Sequence, residues 1–560
     1  MKWFIPMKIP ITRRTALATL AATAGTASAA AAFTDRAIVS RNDEGVENMM
    51  KAQVTDPASR WLGSLPDAYQ LHNPHAAAGI LDVLTASFVH PESRFHGDAG
   101  IVDRLRLAAG YLERCQSPEG NVFLLTTNYN SPPDTGFVSY SVASAAYNAR
   151  HQGHDEIARL YRPFLLKAGA ALESGGIHTP NHRWVVSSAL AQIHELYPDP
   201  RYLRRIDQWL AEGIDIDSDG QFTERSVLTY NIIVDRAFIV LAKKLNRAEL
   251  LEPVRRNLHS MLYLMHADDE LVSEISHRQD VNTRGDIGRY WFPMHFMAVR
   301  DGDGELAAIA RRYREHYASL SLLLQYPELS QPLPVDRPLP EDYEKQMPDV
   351  GIARIRRGLT SATILLNGNS RFFTLRHGDA VLNAVRFSSA FFGKGQFVPQ
   401  KSGKSGASYV LSQELEAPYY QPIDRKVAYN EWGAVRRLRR QSQICHLRQQ
   451  ATVTERQNGF DLRIEASGTD DVPVAVEINL REGGDLSGCA KSGHFPDTWL
   501  TTAGGTAVYR AGRNQLRIGP GQAEHAYTQM RGAADKLPGP SVYLTGYTPY
   551  DRTIHFDWEG

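Results

Sequence analysis

The chain has 560 residues, with 62 Lys and Arg against 62 Asp and Glu, and 42% of its residues are hydrophobic. These are globular proportions, which exclude a disordered chain, a collagen-like repeat and a coiled-coil rod. Zero net charge also excludes a protein that grips a polyanion through its bulk field, but leaves room for a local basic cleft.

In chain order, residues 1–32 read as a targeting segment. Lys2, Lys8, Arg13 and Arg14 precede an acid-free run from Thr15 to Phe33, and Ala27-Ser28-Ala29 has the small-x-small form of a cleavage site. Arg13-Arg14 between Thr12 and Thr15-Ala16-Leu17 resembles a twin-arginine export signal. A periplasmic or secreted protein is therefore expected. No later stretch reaches the ~20 apolar residues of a membrane span. Cys115, Cys445 and Cys489 cannot all pair and lack metal-ligand spacing. A Cys445–Cys489 bridge and buried free thiols both remain open.

From about residue 52 to 326 the pattern is helical. Residues 101–114, 155–173, 183–196, 201–212, 232–245 and 252–266 carry apolar side chains at three-four spacing. Ser117-Pro118-Glu119-Gly120, Gly175-Gly176, Pro198-Asp199-Pro200 and Asp217-Ser218-Asp219-Gly220 punctuate them. Many antiparallel helices with short connections fit a helical toroid better than a small bundle. Residues 331–348 are rich in Pro and acid and read as a linker. Beyond them the period switches to two, as in Thr360-Ser361-Ala362-Thr363-Ile364-Leu365 and Val474-Ala475-Val476-Glu477-Ile478-Asn479-Leu480. The expected organisation is multidomain, α then β: a signal (1–32), an N-terminal α/α toroid (33–330), a linker (331–348) and a C-terminal antiparallel β-sandwich (349–560). No Gly-rich phosphate loop is present.

Two segments concentrate chemistry. In Gly175-Gly176-Ile177-His178-Thr179-Pro180-Asn181-His182-Arg183-Trp184 a loop ends and a helix begins, with Asn181 placed as its N-cap. Polar and aromatic groups at a helix start can face an anion held by backbone N–H groups. In Asp219-Gly220-Gln221-Phe222-Thr223-Glu224-Arg225-Ser226, followed by Tyr230-Asn231, a turn leads into a helix, and Glu224 reads as a solvated first-turn acid.

Together, the Asn-His pair and the Asp-Gly-x-Phe-x-Glu-x-Ser run with its following Tyr resemble the heparinase II/III-like polysaccharide lyases. That resemblance implies an α/α toroid followed by a β-sandwich, the order that periodicity suggests independently. It implies β-elimination on a 4-linked uronate glycan, with Asn181 and His182 neutralising the carboxylate and Tyr230 serving as base, acid or both. A further His from the early β-domain strands is expected, and His377 in Leu375-Arg376-His377-Gly378-Asp379 is the best match. Arg183, Trp184, Asn128, Tyr129, His277, Arg284 and Arg376 are the candidate substrate-binding residues. Arg278 in the run Ser276-His277-Arg278-Gln279-Asp280 would likewise suit a carboxylate. No cofactor is required; a structural cation is compatible with the resemblance, but no ligand set fixes one. The expected partner is a uronate-containing polysaccharide or oligosaccharide, with no nucleic acid and no membrane span, and the oligomeric state is open. The rivals are a glycoside hydrolase using two of Asp134, Asp219 and Glu224, and a non-catalytic glycan-binding protein.

Overall fold

A computed structural model describes residues 27–124 and 129–558. The expected signal lies almost wholly outside them. The chain divides into two compact units, with the main boundary between Leu339 and Pro340.

The first unit is helical: α1 (Ala27–Ala52), α2 (Pro74–Val89), α3 (Ala99–Cys115), α4 (Pro132–His151), α5 (Asp155–Ser174), α6 (Asn181–Leu196), α7 (Pro200–Ala211), α8 (Tyr230–Leu245), α9 (Glu252–Tyr263), α10 (Trp291–Asp301), α11 (Gly304–Tyr317) and α12 (Leu320–Gln325). Inner helices pack in sequence, α2 on α4, α4 on α6, α6 on α8 and α8 on α10, while α12 returns to α2 and α4. Each inner helix also packs against an outer neighbour, as α4 does on α5 and α6 on α7. This is an α/α toroid. Burial separates the layers: α6 is buried from Asn181 through Ile193 without a break, whereas α7 buries only Tyr202 and Ile206. An outer helix needs one apolar stripe, and an inner one is surrounded.

One turn recurs where the chain passes from an outer helix toward an inner one. Asp67, Ser117 and Asp217 each donate a backbone N–H to the carbonyl four residues on, at 2.8, 2.8 and 2.9 Å. The fourth residue of each turn is left-handed: Gln70 (φ 62°), Gly120 (φ 101°) and Gly220 (φ 83°). At Gly220 a Cβ would come within 2.6 Å of the Arg256 carbonyl, so glycine is required by space as well as by φ.

The second unit is β. A nine-stranded sheet runs Cys489–Lys491, Thr498–Thr501, Ser541–Tyr547, Pro473–Leu480, Ala380–Ser389, Phe373–His377, Thr360–Leu365, Ile352–Arg357 and Asp342–Met347. An eight-stranded sheet contains Ser408–Tyr420, Gln441–Arg456, Gly459–Gly468 and Tyr550–Asp557 at its centre. The pairs are antiparallel except Thr498–Thr501 with Ser541–Tyr547. Phe373, Leu375, Leu462, Ile464, Val476 and Phe556 from both sheets share one buried core, as in a sandwich. The expected linker is corrected here: Asp342–Met347 is a strand at the sheet edge. All three cysteines are free, so the Cys445–Cys489 bridge is not formed. Among the described residues no helix is long and apolar enough to cross a membrane.

Candidate active site

The starts of several inner helices meet at one rim of the toroid. His75 in the first turn of α2 lies 3.2 Å from the Asp134 carboxylate in the first turn of α4. Phe137, one turn further along α4, sets its ring at 6.0 Å from that of His182 at the start of α6. Asn181 donates its amide to Glu224 Oε2 at 2.6 Å, in the segment that leads into α8. Helix N-termini carry unpaired N–H groups and the positive end of the peptide dipole, so their convergence favours an anion.

Asn181 is the first helical residue and Pro180 holds the cap position, so the expected N-cap role is replaced by the bond to Glu224. Glu224 is not a solvated first-turn acid either. It lies in a turn before α8, is buried, and sits 3.4 Å from the Arg278 Nε. Burial raises its carboxyl above the ordinary range, against the lowering pull of Asn181 and Arg278.

His182 is only 6% exposed. Burial, helped by His178 and Arg278, pushes its imidazole down to about 3, with Asp134 opposing. The ring is therefore neutral at neutral pH and can serve as a hydrogen-bond partner, not as a cation. Its Nδ1 has no partner among the described residues.

Tyr230 opens α8, half-buried, with its backbone N–H on Ser226 Oγ at 3.0 Å. Its phenol oxygen accepts from Gln279 Nε2 at 2.9 Å, and the Arg278 guanidinium lies 5.0 Å from its ring centre. A guanidinium beside the ring and a donor on the oxygen are surroundings that hold negative charge. Both groups come from the 276–280 run, which is thus no free solvated loop. Asp280 pins that run to the α8 entry: it is buried and accepts from Ser226 Oγ and the Leu228 N–H, both at 2.9 Å, and from Ser276 Oγ.

The other candidates separate. Trp184 is 0% exposed and donates its indole to Asp215 Oδ1 at 2.9 Å. Arg183 bonds Asp215 at 2.7 Å and the Gly213 carbonyl at 3.0 Å. The two fasten α6 to the segment after α7. His277 is exposed and hydrogen-bonds the Thr223 carbonyl at 3.2 Å. Arg284 is 69% exposed and reaches Glu270 at 3.2 Å. Tyr129, 71% exposed, stands on the short strand before α4, and Asn128 lies outside the described residues. His377 and Arg376 belong to the second unit. There His377 bonds Thr360 Oγ1 at 2.9 Å and stacks on Trp558, and Arg376 lies 3.6 Å from Asp268.

Sequence reasoning missed Gln279 and Asp280 as site-builders, and Asp215 as the anchor of Arg183. Their partners are up to 54 residues away, as in Ser226–Asp280, and no local pattern encodes such pairs. In the first unit, His259, Asp303 and Glu305 place possible ligand atoms within 4.8 Å of one another. Asp303, however, caps α11 and pairs with Arg337 at 3.0 Å, so a structural role accounts for it.

By sequence, neither a protein family nor a curated protein matches the chain. Solved structures do match. A chondroitin AC lyase of Streptomyces coelicolor aligns over 94% of this chain and 79% of its own, at TM-score 0.55 and 14% identity. A heparan sulfate lyase of Pedobacter heparinus aligns over 95% and 90%, at TM-score 0.52 and 11% identity. A Paenibacillus xanthan lyase aligns over 96% of this chain and 57% of its own, at TM-score 0.55 and 12% identity. The chain has the fold of these three proteins. It is a toroid followed by a sandwich, as the period switch predicts.

Proposed function

We propose that the protein is a polysaccharide lyase that cleaves a 4-linked uronate glycan by β-elimination. One observation carries the reading: a chain of contacts runs from the Asn181 amide through Glu224 and Arg278 to the Tyr230 ring. The three fold neighbours, each named as a lyase of a glycan, support it.

The C5 proton of a uronate is weakly acidic while its carboxylate is charged. Donors on the carboxylate and a site for the enolate-like charge lower that barrier. In this proposal the Asn181 amide, which Glu224 positions, the neutral His182 ring and the rim of helix N-termini hold the carboxylate. Tyr230, beside Arg278 and Gln279, relays the proton as base toward C5 and as acid toward O4. The C4–O4 bond then breaks as C4=C5 forms, and Tyr230 returns its proton to O4. The cycle leaves the enzyme unchanged and is written on residues of the first unit alone. A hydrolase would need two acids free to flank the bond, but Asp134 is bound to His75 and Ser131 and Glu224 to Asn181.

The test is Tyr230→Phe. It should fold as wild type and lose at least ~100-fold in the appearance of ultraviolet-absorbing unsaturated uronate from a panel of uronate polymers. Undiminished product from that variant would sink the assignment.

A further inference from the structure

Among the inner helices the toroid carries a partly open cavity of about 600 Å³, within the range of ligand pockets. His75, Phe137 and Thr229 are at its mouth: Phe137 packs on His182, and Thr229 precedes Tyr230 in the chain. On α2 the lining runs from His75 to Asp82, about 10 Å along the helix.

Beside Asp82 the lining helices are bonded to one another. Ser321 of α12 donates to Asp82 of α2 at 2.5 Å, and Asn148 of α4 donates to the Ser321 carbonyl at 3.0 Å. Ser144 of α4 reaches Gln325 of α12 at 2.5 Å. These bonds hold α12, which lines the cavity through Ser319, Ser321 and Leu322, against α2 and α4, so three helices wall the cavity beside Asp82.

The wall carries two guanidinium groups. Arg236 makes one long bond, 3.5 Å to Tyr140 Oη, and Arg289 one of 3.4 Å to the Leu228 carbonyl. The Nε of each has no partner among the described residues. Tyr140 and Trp291 add flat faces, and Ser141 a small polar one. Cations, aromatic faces and hydroxyls around one walled space fit a sugar ring that bears a carboxylate. Asp67 and Asp82 are the acids of the lining; Asp82 is bound to Ser321, and burial raises its carboxyl above the ordinary range against the lowering pull of Ser321 and Arg236.

We propose that this cavity is a chain-end pocket: it takes the terminal uronate unit of the glycan against Arg236 and Arg289, so that cleavage proceeds from an end. The proposal rests on the lyase reading for its substrate, but pocket binding can be measured without turnover.

The experiment is calorimetric titration of the full chain with D-glucuronate and D-mannuronate, with D-glucose as the uncharged probe, beside a time course of products from uronate polymers. A uronate should bind at least tenfold more tightly than glucose. Arg236→Gln should weaken it at least tenfold. Ser141→Trp, which fills the space and keeps both cations, should do the same while the melting temperature is retained. The first products should be mono- or disaccharides, with polymer viscosity preserved. Uronate binding without any unsaturated product would support the pocket and remove the lyase reading. Failure of both uronates to bind, undiminished binding in Ser141→Trp, or an early ladder of long oligosaccharides with falling viscosity would overturn the pocket.

Discussion

His182 shows how environment redefines a residue whose identity the sequence already offered. In the sequence a histidine beside a helix start reads as a cation for a carboxylate. Burial between Phe137 and His178 keeps it neutral instead. The consequence for stability has a fixed sign. An imidazole near 6.5 in the unfolded chain and about 3 in the fold favours the folded state fully above the unfolded value. That contribution is lost progressively as pH falls from about 6.5 toward about 3. His182→Gln, which cannot protonate, should therefore lose less melting temperature than wild type between about pH 6.5 and 4. Parallel curves would mean that His182 is not held neutral. Trp184 teaches a related lesson. A Trp next to Asn-His-Arg looks like a sugar platform, yet it occupies an inner-layer position, where α6 is buried on every side. Position in a layer is set by helices far away in sequence, so residue type alone could not have placed it.

At the scale of elements, the helices were legible because each carries its own periodicity and punctuation. The predicted span 155–173 is found as Asp155–Ser174, and 183–196 as Asn181–Leu196. The edge strand Asp342–Met347 was not legible, for a physical reason. Edge strands are kept from pairing with other chains by charge. Asp342, Glu344 and Lys345, next to the prolines at 338 and 340, make this one look like a linker. The recurring turn was legible only in part: Gly120 and Gly220 mark two copies, but Gln70 takes the same left-handed position in the third. The Gly220 copy bears on function, because it fixes the start of the segment that carries Glu224 and Tyr230. Gly220→Ala would force a Cβ against the Arg256 carbonyl at a φ of 83°. It should cost about 1–3 kcal/mol by chemical denaturation. It should also lower turnover more than Gly153→Ala, a left-handed glycine with open space around its Cβ position. Equal turnover in the two variants would show that the turn does not position the α8 entry.

For the whole molecule, the charge balance bears on how the proposed site would meet its substrate. The formal net charge of the full chain is zero. On the reading that export removes residues 1–29, four cations and no acid leave with them, so the mature protein carries a small excess of acid. Its substrate under the lyase proposal is a polyanion. Long-range attraction, which accelerates encounter for a basic protein and fades with salt, is then missing. Under the same proposal the groups that meet the uronate are short-range ones, the helix N-termini and buried donors, with half-buried Arg278 beside Tyr230, and they act within the screening length of about 8 Å at physiological salt. Such contacts are weakly screened, whereas the general repulsion between an acidic protein and an acidic polymer is strongly screened. Raising salt from about 20 to 200 mM should therefore leave kcat/KM on a uronate polymer level or increase it severalfold. Removing the Arg278 charge, as in Arg278→Gln, should lower kcat at both salt concentrations by a similar factor, since that charge acts beside Tyr230 and not at a distance. A steep loss of kcat/KM with salt in the wild type would instead reveal a basic track that guides the polymer, and would return bulk attraction to the account.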